Sequence, residues 1–394
     1  MDEQRISALD VGRAVAIVGV VMAHLSFQFP RLPQWAAVSA RMGQYGVQLF
    51  FVISSMTIFM TLQADRDRYA QAKQVAARFY VKRFFRIAPL YYTAMLGYGV
   101  MSWYTLNFQP DHASVLGPHD EGDVLLNLVF LHAFSPSAIN NVVPGGWSIG
   151  VEMLFYLLAP PISLFATNWR RLITLTLAIL AGCATTIALF AVSGAPTTID
   201  VQNNSFFYFW PPLQLPCFLL GMWAWFAFRR YFTGRRALGR CGSAVAVASL
   251  ALCGIATATF GVWGGLAHAC APFAAAFGAI ALLLLCSSPA GHRAGVGPVR
   301  AIGRESYGIY LWHFIFAFLA MYLFKDSPSL NTHGGRMSML AFALAVTGTV
   351  GASYAMSRLF ERMIQQRASA LARRVLSAVD SACAYRADGQ RVGR

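Results

Sequence analysis

The stretch LITLTLAILAGCATTIALFAVS, residues 172–193, decides the fold. It carries no charge, and as a helix rising about 1.5 Å per residue it is long enough to cross a hydrocarbon core about 30 Å thick. Working outward, apolar runs of the same kind recur at 13–29, 43–62, 87–106, 147–167, 212–228, 243–263, 271–287, 305–324 and 338–358. The 394 residues are 57% hydrophobic and only 12% charged, against about 25% charged in soluble domains. A water-soluble globule is excluded. The pattern predicts an all-α, polytopic membrane bundle of ten transmembrane helices over residues 1–358, with 359–394 as a separate tail.

The formal net charge of +15 is distributed to one side. Of the 31 lysines and arginines, 27 fall on the side of the termini and four (Arg31, Arg41, Lys325 and Arg336) on the other. Positively charged loops stay in the cytoplasm, so both termini are expected there. The same distribution accounts for the charge without a nucleic-acid partner, for which no segment supplies a basic fold. The opening Met1-Asp2-Glu3-Gln4-Arg5 is acidic where a signal peptide is basic, so the first span is expected to be retained. Seven cysteines include no Cys-x-x-Cys pair, which points to free thiols and to neither a disulfide framework nor a zinc site.

The longest exterior stretch, 107–146, contains Asp111, Asp120, Glu121, Asp123 and the histidines 112, 119 and 132. Its apolar part, Val124 to Phe134, is too short to span. It reads either as a re-entrant or interfacial helix that forms a lid with the Pro144-Gly145-Gly146 turn, or as an ordinary surface helix. Residues 359–394 read as a basic amphipathic helix with Ile364, Ala368, Leu371, Val375 and Val379 on one stripe. Its simplest role is to lie on the anionic inner leaflet. Membrane lipids are therefore expected partners.

Charges inside a bilayer cost a few kcal/mol each, so they mark candidate functional groups. Asp10 and Arg13, three apart on the first span, share a helix face, and His24 stands about 16 Å above Arg13. Glu152, five residues into a span that starts at Trp147, is expected about 7–8 Å below the outer surface, the depth of His24. A carboxylate there can orient the imidazole for general-base chemistry or only pin two helices. His313 lies nearer the midplane. Arg83 and Arg86, three apart in the loop before the third span, present two guanidiniums to a phosphate-bearing ligand or to lipid headgroups. Trp147 either stacks on a sugar or anchors the membrane interface.

These residues resemble those of the membrane-bound acyltransferase family 3, and the resemblance runs from Leu9 to the last helix. Leu9-Asp10 with Arg13, ten intervening residues and His24 match the family's first-helix signature. Gly46 to Ser54, the Arg83-x-x-Arg86 pair, Trp147-Ser148-Ile149-Gly150-Val151-Glu152, and the Ser-Tyr-Gly-Ile-Tyr-Leu-Trp-His run at 306–313 follow in order. Two departures stand out: Ser55-Met56 replaces Gly-Phe, and Gly150 replaces a serine beside Glu152.

The resemblance implies an acyl-CoA-dependent O-acyltransferase of the bacterial inner membrane, acting on extracytoplasmic glycans, lipids or small molecules. It implies His24 as catalytic base, Arg13 as a residue supporting the donor or the fold, and Arg83 and Arg86 toward CoA, while Glu152 is expected to orient the imidazole or hold the sugar. Asp10, Ser54, Trp147, Ser148, Tyr310 and His313 are substrate-facing or supporting residues. Acetyl-CoA is the expected donor, a carbohydrate or glycolipid the acceptor, and a polysaccharide synthesis or export complex a candidate partner. No metal is required. Direct transfer is favoured over a route through acyl-His24, Ser54 or Ser148, since a hydroxyl nucleophile needs an adjacent base. No carboxyl-terminal hydrolase-like domain follows the tenth span, so acceptor choice is expected in the bundle and exterior loops. The alternative reading is a secondary transporter or flippase, which predicts inverted repeats that the sequence does not display.

Overall fold

The computed structural model describes residues 3–29, 31–69, 71–108, 120–193, 206–232, 238–263, 269–288, 291, 297–325 and 336–392, and among them there is no strand. A chain in lipid must satisfy its own backbone polar groups, and the helix does so within each segment. The long helices are α1 (Glu3–Ser26), α3 (Gly46–Arg68), α4 (Ala72–Phe108), α6 (Trp147–Phe165), α7 (Trp169–Ser193), α9 (Pro211–Phe232), α10 (Arg240–Trp263), α11 (Ala271–Cys286), α13 (Ser306–Lys325), α14 (Arg336–Phe360) and α15 (Gln366–Val392). Short helices α2 (Gln34–Met42), α5 (Glu121–Leu128), α8 (Phe206–Phe209) and α12 (Gly297–Arg304) lie between them.

Seven stretches are long and apolar enough to cross a membrane: Ala8–Ser26, Gln34–Arg68, Trp147–Phe165, Trp169–Ser193, Arg240–Phe260, Ser306–Leu323 and Met337–Ser381. The other three expected spans fall on α4, α9 and α11. α11 is shorter than the seven, and α4 and α9 carry arginines and internal prolines.

α1 is the central helix, packed against α3, α11, α12, α13 and α14. Ile17, Val21 and Leu25 are fully enclosed. Glycines let backbones approach it closely. A Cβ on Gly43 would stand 2.0 Å from the Gly19 carbonyl oxygen, and one on Gly303 1.8 Å from that of Asp10. At the periphery α7 and α10 bury little of their surface, as lipid-facing helices do.

Two expectations about the connections are corrected. The basic segment before the third span is not a loop: from Ala72 it is the first half of α4. Its polar side chains are held laterally, Lys82 by Asp65 at 2.7 Å and Arg78 and Gln74 by Asp380 of α15, while Gln365 donates to the Phe85 carbonyl at 3.0 Å. The apolar run Val124–Phe134 is also not one helix. α5 stops at Leu128, and Phe130 turns the chain with φ +60°, its ring packed on Tyr91 and Tyr92. The returning chain is buried at Ala138, Ile139, Val142 and Val143. It is pinned by Asp123, which accepts from Ser137 at 2.8 Å and Asn141 at 2.5 Å. Asp111, His112 and His119 lie outside the described residues.

Candidate active site

Two polar cavities occupy the bundle. The first, about 310 Å³, gathers Arg13, Arg83 and Arg86 with Ser54, Glu152, Tyr156, Ser148, Tyr307 and Tyr310. Arg13 is aimed by Asp10, three residues earlier and nearly buried, at 3.1 Å. The Arg83 guanidinium lies over the Tyr156 ring, 5.3 Å from its centre, and 5.5 Å from that of Phe79. Such stacking holds a cation in place while leaving its N–H edge for an anion. Oε1 of Glu152 accepts hydrogen bonds from Tyr156 at 2.6 Å and from Ser54. Three guanidiniums thus face one free carboxylate, since Asp10 is already paired. The excess positive charge suits a ligand carrying several phosphates.

The second cavity, about 410 Å³, is lined by His24 together with Gln28, Gln44, Asn140, Trp147, Tyr208, Tyr310 and Phe314, among others. No charged side chain lines it among the described residues. Its polar groups are amides and hydroxyls, which can donate to and accept from the hydroxyls of a sugar. Val47 and Tyr310 belong to both cavities, so these two side chains form the wall between them. The wall is braced: the Tyr310 hydroxyl donates to the Gly145 carbonyl at 2.8 Å and accepts from Ser148 at 2.9 Å. Gly145 has φ +78°, a conformation that favours glycine, and a Cβ there would meet Tyr310 and Phe314 at 3.1 Å.

The expected pairing of His24 with Glu152 is not present. Glu152 belongs to the arginine cavity, whereas the ring of His24 packs on Phe314 at 4.5 Å and His313 at 5.4 Å. A shared distance along two helices does not decide which cavity each side chain enters: His24 lines the uncharged one and Glu152, five residues after the nearly buried Trp147, the arginine cavity. Burial also removes the interfacial-anchor reading of Trp147. Its ring is wedged against Phe51, Tyr208 and Phe209 and lines the His24 cavity.

The two departures in the motifs are packing features. Gly150 faces His132 and Ala133, with a Cβ there 2.9 Å from Nε2 of His132 and 2.8 Å from Cβ of Ala133, so a serine would collide with the returning loop. Ser55 faces Gly221 of α9, away from either cavity. Tyr156, Gln28 and Gln44 escaped the sequence reading. Tyr156 was accessible as the position four after Glu152 on one helix face, and Gln28 as the position four after His24. Gln44 and Asn140 reach the cavity through tertiary folding and had no local signal.

A bundle of apolar helices, seven of its stretches long enough to cross a membrane, with a cationic and a histidine-bearing cavity that share Val47 and Tyr310, is that of a multi-pass membrane protein. Residues 6–358 match the acyltransferase domain of family 3, and the chain belongs to that family. It is similar to the peptidoglycan O-acetyltransferase OatA of Listeria monocytogenes, 26% identical over 340 residues that cover 78% of this chain and 49% of that protein. It is also similar to the O-acetyltransferase OatA of Staphylococcus aureus, 25% identical over 329 residues, covering 78% and 49%. The chain spans about half the length of these curated relatives. No solved structure matches it.

Proposed function

We propose that the chain is an acetyl-CoA-dependent O-acetyltransferase of the bacterial inner membrane. It moves the acetyl group from cytoplasmic donor to a hydroxyl of an extracytoplasmic carbohydrate or glycolipid. In this reading ten helices span, the seven apolar ones together with α4, α9 and α11, and the arginine-rich end with both termini faces the cytoplasm. The observation that carries it is the pair of cavities meeting at Val47 and Tyr310, one cationic and one holding His24. The acyl transfer chemistry is that of the family. The carbohydrate acceptor is supported by the peptidoglycan named for the Listeria relative.

The donor's phosphates sit against Arg83, Arg86 and Arg13, with its thioester extended toward the Tyr310 wall. Where the two cavities meet, at Val47 and Tyr310, the acceptor hydroxyl reaches the thioester carbon, and His24 takes its proton as the oxygen attacks. The carbon–sulfur bond breaks and the proton passes to the departing thiolate, so no group is left on the protein. The amides and the Trp147 face hold the acceptor so that attack is intramolecular in effect. A polysaccharide synthesis or export complex would deliver that acceptor.

The test is the donor dependence of turnover in membrane vesicles supplied with radiolabelled acetyl-CoA. The double variant Arg83→Ala/Arg86→Ala is expected to raise the KM for acetyl-CoA at least about 30-fold, as loss of two charge-assisted contacts of roughly 1 kcal/mol or more each implies. Its kcat is expected to change far less. An unchanged KM would mean that the donor binds elsewhere.

A further inference from the structure

A general base needs a partner that fixes which of its nitrogens carries the proton. Glu152 is not that partner, no charged group lines the cavity beside His24 among the described residues, and His24 itself has no hydrogen-bond partner there. His313 on α13 stands beside it, its ring centre 5.4 Å from that of His24 and tilted by 35°. Two rings joined by an N–H···N bond have centres roughly 5 Å apart, and the observed spacing is close to that.

His313 is already set up to accept. Its Nδ1 lies 2.6 Å from the carbonyl oxygen of Tyr310. A carbonyl only accepts, so Nδ1 carries the hydrogen and Nε2 presents a lone pair. That Nε2 is fully enclosed and has no partner. A buried acceptor without a donor is costly and rare in folded proteins.

From these observations we propose that His313 is the positioning partner of His24, accepting its inner N–H so that the outer nitrogen faces the acceptor hydroxyl with a free lone pair. The inference rests on the reading of His24 as base. During transfer the acceptor's proton moves to the outer nitrogen of His24 and then to the departing thiolate, while the inner N–H stays on His24. In an apolar cavity without a carboxylate, the hydrogen bond to a neutral imidazole stabilises the transient imidazolium that burial disfavours. Tyr310 then has two tasks: its hydroxyl braces the wall and its carbonyl sets the His313 tautomer.

The experiment compares His313→Leu with His313→Gln in the full-length protein in vesicles, alongside His24→Ala. Leucine fills the space and removes the acceptor, whereas the glutamine carbonyl oxygen can stand where Nε2 stood. We expect His313→Leu to lower kcat about 10²-fold with the acetyl-CoA KM unchanged, and His313→Gln to recover to within about fivefold of wild type. Equal losses in both variants, or an unimpaired leucine variant, overturn the proposal. If His24→Ala itself retains turnover, it is the underlying reading that fails. Ring-nitrogen spectra of wild-type protein labelled with nitrogen-15 at histidine supply a check independent of variant folding. His313 is expected as the neutral Nδ1–H tautomer with a hydrogen-bonded Nε2, and the opposite tautomer overturns the assignment.

Discussion

His24→Ala is expected to lower kcat by about 10³-fold or more while leaving the KM for acetyl-CoA within about twofold of wild type. The split follows from the two cavities: His24 lines only the chamber without charges, and the arginines only the other. On the proposed reading the alanine removes the group that takes the acceptor's proton without touching donor contacts. Folding is expected to survive, because the ring already borders open space. Radiolabel reaching the acceptor, followed with free CoA release, measures both constants. A transporter would instead lose flux without ever forming an acylated product, so wild-type label in the acceptor separates the two classes before any variant is made.

Gly303→Ala is expected to destabilise the bundle by about 3 kcal/mol or more, at the upper end of overpacking costs. The added Cβ would lie 1.8 Å from the carbonyl oxygen of Asp10 and 2.6 Å from its carbonyl carbon. Both are backbone atoms of the central helix, so no rotamer change relieves the clash and α1 must move away from α12. Because Asp10 aims Arg13 at 3.1 Å, the same displacement is expected to raise the acetyl-CoA KM of whatever protein folds. Gly254 and Gly348 have nothing within 4 Å of a built Cβ, and alanine there is expected to be neutral or slightly stabilising. Melting temperatures of the three variants in one detergent check the contrast, and comparable values for all three would contradict the close crossing.

The helices were legible because the apolar runs are long and unbroken, and each of the ten falls on a helix of the structure. The family was legible because five short motifs occur in order along the chain, and the family match over residues 6–358 agrees. The cationic cavity was partly legible: Arg13, Arg83 and Arg86 were singled out from spacing, and the fold brings them together. The pairing of His24 with Glu152 was not legible, because a shared depth puts two groups in one layer of the bundle but not in one cavity, and the two line different ones. The continuity of α4 was hidden because its first half is polar and is held by partners distant in sequence, Asp380 among them. The neighbourhood of His313 was hidden for the same reason: helical period places a residue on a face, but not what another helix brings against it.

Transfer of an acetyl group from one side of the membrane to the other is tested in sealed vesicles of defined orientation, with radiolabelled acetyl-CoA confined to the arginine side and a membrane-impermeant glycan acceptor only on the histidine side. The expected result is label on the glycan, dependent on His24, with free CoA left on the donor side. Label that appears only when donor and acceptor share one compartment would contradict it.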